Sequence, residues 1–264
     1  AKWLELLKKE GIPHGAPFLE SDFQWIAEWG FDFVRLPMDY RCWTHLDDPY
    51  TFEEPVLEEI DQAIEFGRKY GVHISLNLHR APGYTVARPA EKLDLWEDEE
   101  AQKQFDFQWS AFARRYRGVA SSRLSFDLVN EPANISGETY AKVAARATAA
   151  IRREDPDRLI IADGLQWGRQ PVPELAELGI AQSTRGYDPM GISHYRASWI
   201  EGSDRWRLPE WPLGDGDARV DREWLVRNRI EPWKQLEARG VGVHVGEWGA
   251  YNKTPHEVVL RWAR

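Results

Sequence analysis

The sequence Leu-Ser-Phe-Asp-Leu-Val at residues 124–129, with the alanine-rich segment that follows it, decides the fold class. A short apolar run of this kind, rich in Leu, Val and Phe, is typical of a buried strand. Residues 136–154 carry a helical pattern that Ser136 or Thr139 can cap. A buried strand followed by a helix is the unit from which parallel sheets covered by helices are built.

The same alternation continues along the chain in both directions. Strands are predicted at residues 31–37, 72–79, 124–129, 159–162, 190–194 and 241–246, and helices at residues 55–70, 99–116, 136–154, 221–239 and 254–264. No glycine-rich phosphate loop follows any strand, which argues against a doubly wound nucleotide-binding fold. Because 264 residues suit one (β/α)8, or TIM, barrel, we predict a single α/β barrel domain over residues 1–264. The irregular segment 196–220 is expected to be a loop at its active face.

The barrel is expected to be incomplete at its first and eighth strands. Residues 3–7 fit a helix as well as a first strand, and no strand pattern follows the helix at residues 254–264. Either the chain is a fragment or the fold departs from the standard barrel. An incomplete barrel would expose two sheet edges, with a loss of stability and activity.

Composition excludes several classes of protein. The net charge of −9 argues against a nucleic-acid partner, whose phosphates attract Lys and Arg. No run of 18 apolar residues is present, so no membrane span is expected. The seven histidines are scattered without a metal-binding spacing, and no Gly-x-Ser-x-Gly pattern occurs, so neither a metal, another cofactor nor a serine nucleophile is expected.

The single cysteine, Cys42, allows no intramolecular disulfide and leaves the compartment open. No leader sequence is visible, but the chain begins with Ala1, so that processing can hide one. The compartment therefore stays unknown, with secretion after removal of a leader favoured over a cytoplasmic location, and a monomer is expected.

Polar residues follow five of the predicted strands. They are Arg35, His79 with Arg80, Asn130 with Glu131, His194 with Tyr195, and Glu247. Taken singly, a residue such as His79 is explained equally well as a functional residue or as a buried residue with satisfied hydrogen bonds. In a parallel barrel, however, the carboxyl ends of the strands converge on one mouth. Two glutamates in such a mouth, Glu131 and Glu247, are the minimum apparatus for breaking a glycosidic bond.

The whole set resembles glycoside hydrolase family 5, a cellulase family in the large clan of retaining barrel glycosidases. The matching stretches are Phe33–Pro37, Leu78–Gly83, Asn130–Pro132, Ser193–Tyr195 and Gly246–Gly249. They fall in the family's order and at its usual spacing, and the resemblance extends from about Asp22 to Tyr251.

The resemblance implies a role for each acid. Glu131 corresponds to the general acid/base and Glu247 to the nucleophile, which forms a covalent glycosyl-enzyme, while Arg35 corresponds to a cation held beside the nucleophile. Electrostatics favours the same division. A nearby arginine favours the ionised form of Glu247, whereas burial and that negative charge favour protonated Glu131. The raised pKa is therefore predicted for Glu131.

The supporting residues follow from the resemblance as well. Asn130 corresponds to the residue that hydrogen-bonds the sugar 2-hydroxyl, and His79 and His194 to the histidines that line the subsite where the sugar distorts. The family's sixth strand usually carries His-x-Tyr, whose tyrosine supports the nucleophile. Here Tyr195 follows His194 directly and Arg196 occupies the tyrosine position, so either Tyr195 substitutes or the support is lost.

The chain holds 14 tryptophans, a surplus that suits a cleft in which sugar rings stack. Trp248, directly after Glu247, and Trp43, on the loop after Arg35, are predicted to contact the substrate, although packing explains each of them as readily. Further aromatic candidates near the strand ends and the long loop are Tyr84, Trp167, Trp199, Trp206 and Trp211.

Together these features imply a retaining, endo-acting β-glycosidase. The resemblance favours β-1,4-glucan as the substrate and partner, with mannan and β-1,3-glucan as alternatives. A protein of another class, a carbohydrate-binding protein or inactive truncated barrel that keeps the cleft without turnover, is the second hypothesis.

Overall fold

The computed structural model describes residues 18–45 and 48–264, together with residues 8, 9 and 11. Its strands are β1 Phe33–Asp39, β2 Thr44–His45, β3 Asp48–Phe52, β4 His73–Ala81, β5 Tyr84–Thr85, β6 Leu124–Asp127, β7 Leu159–Asp163, β8 Ala181–Gly186 and β9 Val243–Trp248. Six of them form a parallel sheet in the order β1-β4-β6-β7-β8-β9. The short β5 pairs antiparallel with β4, and β2 with β3 forms a separate hairpin.

Helices precede, connect and follow the parallel strands. They are α1 Glu20–Glu28, α2 Glu54–Tyr70, α3 Glu99–Arg115, α4 Gly137–Glu154, α5 Leu165–Gly168, α6 Met190–Ser193, α7 Arg222–Leu225, α8 Glu231–Glu237 and α9 His256–Ala263. As predicted, Ser136 caps α4, because its hydroxyl accepts a hydrogen bond from the Thr139 N–H at 3.1 Å. None of the helices in the described ranges is long and apolar enough to cross a bilayer.

The outer face of the sheet carries the core. Ile74 and Leu76 on β4 are buried, and Gly67 of α2 approaches Ile74 so closely that a Cβ at residue 67 would lie 2.7 Å from the Ile74 side chain. Phe126 on β6 stacks on Trp109 of α3, with ring centroids 5.1 Å apart. This packing fixes β4 and β6 firmly, and the next residues along the chain belong to the site described below.

The predicted α/β barrel architecture is confirmed, and so is its incompleteness at the edges. A complete barrel of this type has eight strands, whereas β1 and β9 are the two edges of the six-stranded parallel sheet in the described part of the chain. The sheet is nevertheless strongly curved, because the Phe33 ring on β1 lies 5.6 Å from the His244 ring on β9. The possible first strand at residues 3–7 lies outside the described residues.

The sequence-based prediction was wrong about the strand before β9. Residues 190–194, predicted as a strand, form α6 and its end, and the strand is β8, Ala181–Gly186. Its inward side chains are polar yet buried, notably Ser183 and Arg185. A hydrophobic pattern therefore does not reveal it.

The long helix predicted at residues 221–239 is also divided. A π-helical turn, Val226–Ile230, separates α7 from α8. Pro232 stands in the first turn of α8 and cannot donate the backbone hydrogen bond that a continuous helix requires. The predicted loop at residues 196–220 is irregular apart from two short 3-10 turns, Ser203–Arg205 and Gly216–Ala218.

Candidate active site

The two glutamates lie at the carboxyl edge of the sheet, where the backbone of Glu131 is held in an unusual conformation. Glu131 follows β6 with a left-handed φ of 51°, which is uncommon for a residue other than glycine. Its N–H donates to the Asp163 carboxylate at 2.9 Å, and its carbonyl accepts from the Tyr84 hydroxyl at 2.8 Å. These bonds fix the position from which the Glu131 side chain extends.

Arg35 lies against Glu247, at the position where the sequence places a cation. Its Nη1 donates to Glu247 Oε1, its Nε donates to Asp127 Oδ2 at 2.6 Å, and its Nη2 donates to Asn130 Oδ1 at 3.0 Å. Because β1 and β9 are the edge strands, this contact crosses the interior of the curved sheet. It joins the first and last described strands at the level of the site.

A second arginine, which the sequence reasoning missed, contacts both glutamates. Arg185 on β8 donates from Nε to Glu131 Oε1 at 3.0 Å, and its Nη2 lies 3.5 Å from Glu247 Oε1. The same guanidinium donates to Asp163 Oδ1 at 3.0 Å and to Asn130 Oδ1 at 3.1 Å. One cation therefore brings the two predicted catalytic acids together.

Tyr187, also missed, supports the nucleophile candidate by donating its hydroxyl proton to Glu247 Oε2 at 3.0 Å. Both alternatives drawn from the sequence are therefore wrong: the support is not lost, and Tyr195 does not supply it, because Tyr195 follows the short helix Met190–Ser193 and is buried beneath the Arg196 guanidinium. The sequence signal was present as Arg185-Gly186-Tyr187, which has the spacing of His-x-Tyr with an arginine first.

His194 contacts Tyr187 rather than the two glutamates, and its place in the sugar subsite stays a prediction. Its ring contacts Tyr187 edge-on at 5.1 Å, and its Nδ1 lies 2.7 Å from the Ser193 hydroxyl. His79, in contrast, faces the charged cluster. Burial and the nearby Arg35 lower the pKa of His79, which favours its neutral imidazole.

Asn130 is oriented by the two arginines. Both guanidinium groups donate to its Oδ1, at 3.0 Å from Arg35 and 3.1 Å from Arg185. Its buried Nδ2 has no hydrogen-bond partner among the described residues. An amide whose oxygen is fully engaged in this way has its N–H groups left to donate to another oxygen, such as a sugar hydroxyl.

The charges of the site favour a proton on Glu131. Burial raises the pKa of Glu131, and Arg185 opposes this rise while the negative charges of Glu247 and Asp163 add to it. Burial also raises the pKa of Asp127, to about 7, and the charge of Asp163 contributes. Burial alone would raise the pKa of Asp163, but Arg185 and Arg35 lower it below its ordinary value. Four carboxyl groups thus share two guanidinium groups, and Glu131 has the raised pKa that the sequence predicted.

The exposed fraction of each tryptophan side chain shows which of the predicted aromatic residues can contact a substrate. Trp43 is only 1% exposed and donates from its indole to Gln108 at 2.8 Å in the core, so the prediction that it contacts substrate is wrong. Trp248 is 64% exposed and remains a prediction. Trp199 is 62% exposed and is held edge-on by Tyr251 at 5.0 Å.

No three His, Cys, Asp or Glu side chains of the described residues are grouped so that they could hold a metal ion. Of the two predicted catalytic acids, Glu131 is favoured in the protonated form, and Glu247 is held by Arg35 and Tyr187.

Replacing Tyr187 with phenylalanine is expected to reduce kcat/KM about 10- to 100-fold, because the Glu247 carboxylate loses the bond that orients Oε2. The measurement is a steady-state assay on an aryl β-glycoside. Tyr195→Phe is the matched control and should keep nearly full activity. Equal losses in both variants would contradict the assignment of the support to Tyr187.

Comparisons with known proteins agree on a family. The model described as cellulase, glycosyl hydrolase family 5, matches residues 11–264. Endoglucanase C of Acetivibrio thermocellus is 31% identical over 206 residues, which cover 76% of this chain. The match spans 60% of the length of that enzyme.

Solved structures show the same relationship. A crystal structure of a glycoside hydrolase is similar with a TM-score of 0.90 at 43% identity, over 95% of this chain and 78% of the other. Endoglucanase Cel5A from the hyperthermophilic Thermotoga maritima has a TM-score of 0.77 at 25% identity, over 94% of this chain and 77% of that enzyme.

Proposed function

Because the chain belongs to glycosyl hydrolase family 5, we propose that residues 1–264 act as a catalytic domain that hydrolyses a β-linked polysaccharide internally, with retention of configuration. The observation that carries this proposal is the pair Glu131 and Glu247, both in contact with Arg185 and with only Glu247 bound by Arg35. One acid is thereby favoured as a proton donor and the other as a nucleophile.

In the first step, Glu247 attacks the anomeric carbon of the sugar. The glycosidic C–O bond breaks, and the proton of Glu131 passes to the departing oxygen. Arg35 and Tyr187 hold the two carboxylate oxygens of Glu247 from different sides, which orients the nucleophile. The product is a glycosyl ester on Glu247.

In the second step, Glu131 is ionised and acts as the base. It takes a proton from a water molecule whose oxygen attacks the anomeric carbon, the ester C–O bond breaks, and the electron pair returns to Glu247. The Nδ2 of Asn130 donates to the sugar 2-hydroxyl in both steps, where the bond strengthens in the transition state.

The proposed substrate is a β-1,4-glucan. The support is the similarity to endoglucanase C and to endoglucanase Cel5A, reported above. Mannan and β-1,3-glucan are the alternatives, because a choice between them depends on a few hydroxyl contacts and on loop shape rather than on the catalytic acids.

The test is an assay of new reducing ends on a soluble β-1,4-glucan, a β-mannan and a β-1,3-glucan. We expect the highest rate on the β-1,4-glucan, with a rapid fall in viscosity that shows internal cleavage. Glu247→Ala is the inactive control. Absence of turnover on every β-glycan would overturn the proposal.

In the described part of the chain β1 and β9 have no partner strand on their outer side, and this favours one second candidate, a barrel that binds carbohydrate without turnover. In that case, isothermal titration with a glucan oligosaccharide would show binding while the reducing-end assay shows none.

Trp199 is proposed to stack on a sugar ring of the polymer beyond the cleaved bond. The rings of Tyr187, His194 and Trp199 contact one another in a row that extends from the nucleophile to the exposed indole, and Tyr251 contacts that indole as well. Trp199→Ala is expected to raise KM for the polymer about 2- to 10-fold, because one stacking contact contributes roughly 0.5–1.5 kcal/mol.

The kcat of this variant on a short aryl glycoside should not change. Trp29→Ala is the matched control, since Trp29 is also well exposed but follows α1. An unchanged KM for the polymer in Trp199→Ala would contradict the stacking role.

A further inference from the structure

Arg185 poses a chemical problem for the proposed mechanism. A general acid must hold a proton, yet the Nε of Arg185 donates to Glu131 Oε1 at 3.0 Å, and a bonded cation favours the ionised carboxylate. The side chain of Arg185 is 1% exposed, so this charge is not screened by solvent. An arrangement that only served proton donation would not place a guanidinium there.

Two glycines leave space for the Arg185 side chain, and two polar residues hold its guanidinium. A Cβ on Gly168 would lie 2.5 Å from the Cγ of Arg185, and a Cβ on Gly246 would lie 2.7 Å from its Nη1. Gly168 also has a left-handed φ of 76°. Asp163 and Ser183 accept hydrogen bonds from Nη1, each at 3.0 Å, whereas the Glu131 side chain accepts from Nε. The guanidinium is therefore anchored independently of the two glutamates.

We propose that Arg185 is a positioning residue for the second step: its anchored guanidinium is shared by Glu131 and Glu247 in the free enzyme and, of these two acids, acts only on Glu131 once Glu247 is esterified. This proposal rests on the proposed function and deepens it. The ionised Glu131 that the water attack requires is stabilised at the stage at which it is needed.

The charge balance supports this sequence of events. In the free enzyme the negative charge of Glu247 favours the proton on Glu131, against the effect of Arg185. Esterification makes Glu247 neutral and removes that contribution, while Arg185 stays bound to Asp163. The groups that face Glu131 from the surrounding elements are Asp163 on β7, Arg185 on β8, Tyr187 after β8 and Glu247 on β9, with Tyr84 of β5 on its backbone carbonyl. Arg185 is the cation of this set.

The experiment uses an aryl β-cellobioside with a good leaving group, for which the first step needs little acid assistance and breakdown of the ester limits kcat. The acidic limb of the kcat–pH profile then reports the ionisation of Glu131 in the glycosyl-enzyme. Arg185→Gln is expected to move this limb to higher pH by about one unit or more, because the charge that favours ionised Glu131 is lost. The ester should accumulate, and the pre-steady-state burst should remain.

Arg185→Lys is the charge-retaining control, and its acidic limb should stay within about 0.3 units of wild type, since the cation remains. Arg185→Lys also tests the proposal if Arg185→Gln does not fold. A shift of the acidic limb by a full pH unit in Arg185→Lys would overturn the proposed role of the charge. An unmoved limb in folded Arg185→Gln, with equal losses in burst and steady-state rates, would show a merely structural residue. If wild-type enzyme itself shows neither a burst nor an ester, the proposed function fails, and the role of Arg185 with it.

Discussion

Replacing Glu247 with alanine is expected to lower kcat/KM on a β-1,4-glucan by about 10⁴- to 10⁶-fold, as loss of a catalytic nucleophile does in other hydrolases. The physical reason is that no other described carboxylate is bound by both Arg35 and Tyr187 in this way. The measurement is a reducing-end assay with prolonged incubation. Glu237→Ala, which removes an exposed glutamate of α8, is the control and should be fully active.

Azide makes this prediction more specific. In Glu247→Ala, azide can occupy the vacated position and attack from the side of the missing nucleophile, so an activated β-glycoside should yield the α-glycosyl azide. The folded state is checked by thermal unfolding, since Arg35 keeps Asp127 and Asn130 as partners. Formation of the β-azide would show that the roles of Glu247 and Glu131 are reversed.

Replacing Glu131 with glutamine is expected to lower kcat/KM by about 10²- to 10⁴-fold on substrates with poor leaving groups. The glutamine keeps the side-chain shape and its bond with Arg185 but cannot donate a proton in time with bond cleavage. On a dinitrophenyl glycoside, which needs little acid assistance, the first step should be almost unchanged. A loss of equal size on both substrates would contradict proton donation by Glu131.

The pH dependence of kcat/KM should also report the proton on Glu131. Glu131 must be protonated for the first step, so kcat/KM falls as pH rises through its pKa. Burial, with the charges of Glu247 and Asp163, raises the pKa of Glu131 above its ordinary value despite Arg185. The basic limb should therefore lie at higher pH than an ordinary glutamate would give, and it should disappear in Glu131→Gln.

Most of the strands and several residues of the site could be predicted from the sequence, for a physical reason. Strands β4, β6 and β7 are buried on the face that packs on helices, so apolar residues such as Ile74, Leu76 and Phe126 reveal them. The residues after them inherit their position from the barrel geometry. Glu131, Asn130 and His79 could therefore be assigned to one mouth without a structure.

The roles of Arg185 and Tyr187 could not be predicted, because they depend on contacts between residues that are distant in the sequence. Strand β8 is polar inside, and the buried Arg185 is stabilised there by hydrogen bonds to Asp163, Asn130 and Glu131. The residues next to Arg185 in the sequence do not indicate these partners. Trp43 was wrongly predicted to contact substrate because it follows a strand. Its indole instead lies in the core, where it donates a hydrogen bond to Gln108.

The most direct test of the central claim is the mass of the enzyme after incubation with a 2-deoxy-2-fluoro-β-cellobioside that carries a good leaving group. The fluorine slows both steps and the leaving group restores the first, so a glycosyl ester should accumulate. We predict an increase equal to one fluorocellobiosyl unit, located on the peptide that contains Glu247, with loss of activity that is recovered as the ester turns over. A label on any other residue, or an unlabelled enzyme that nevertheless hydrolyses β-glucan, would contradict the account.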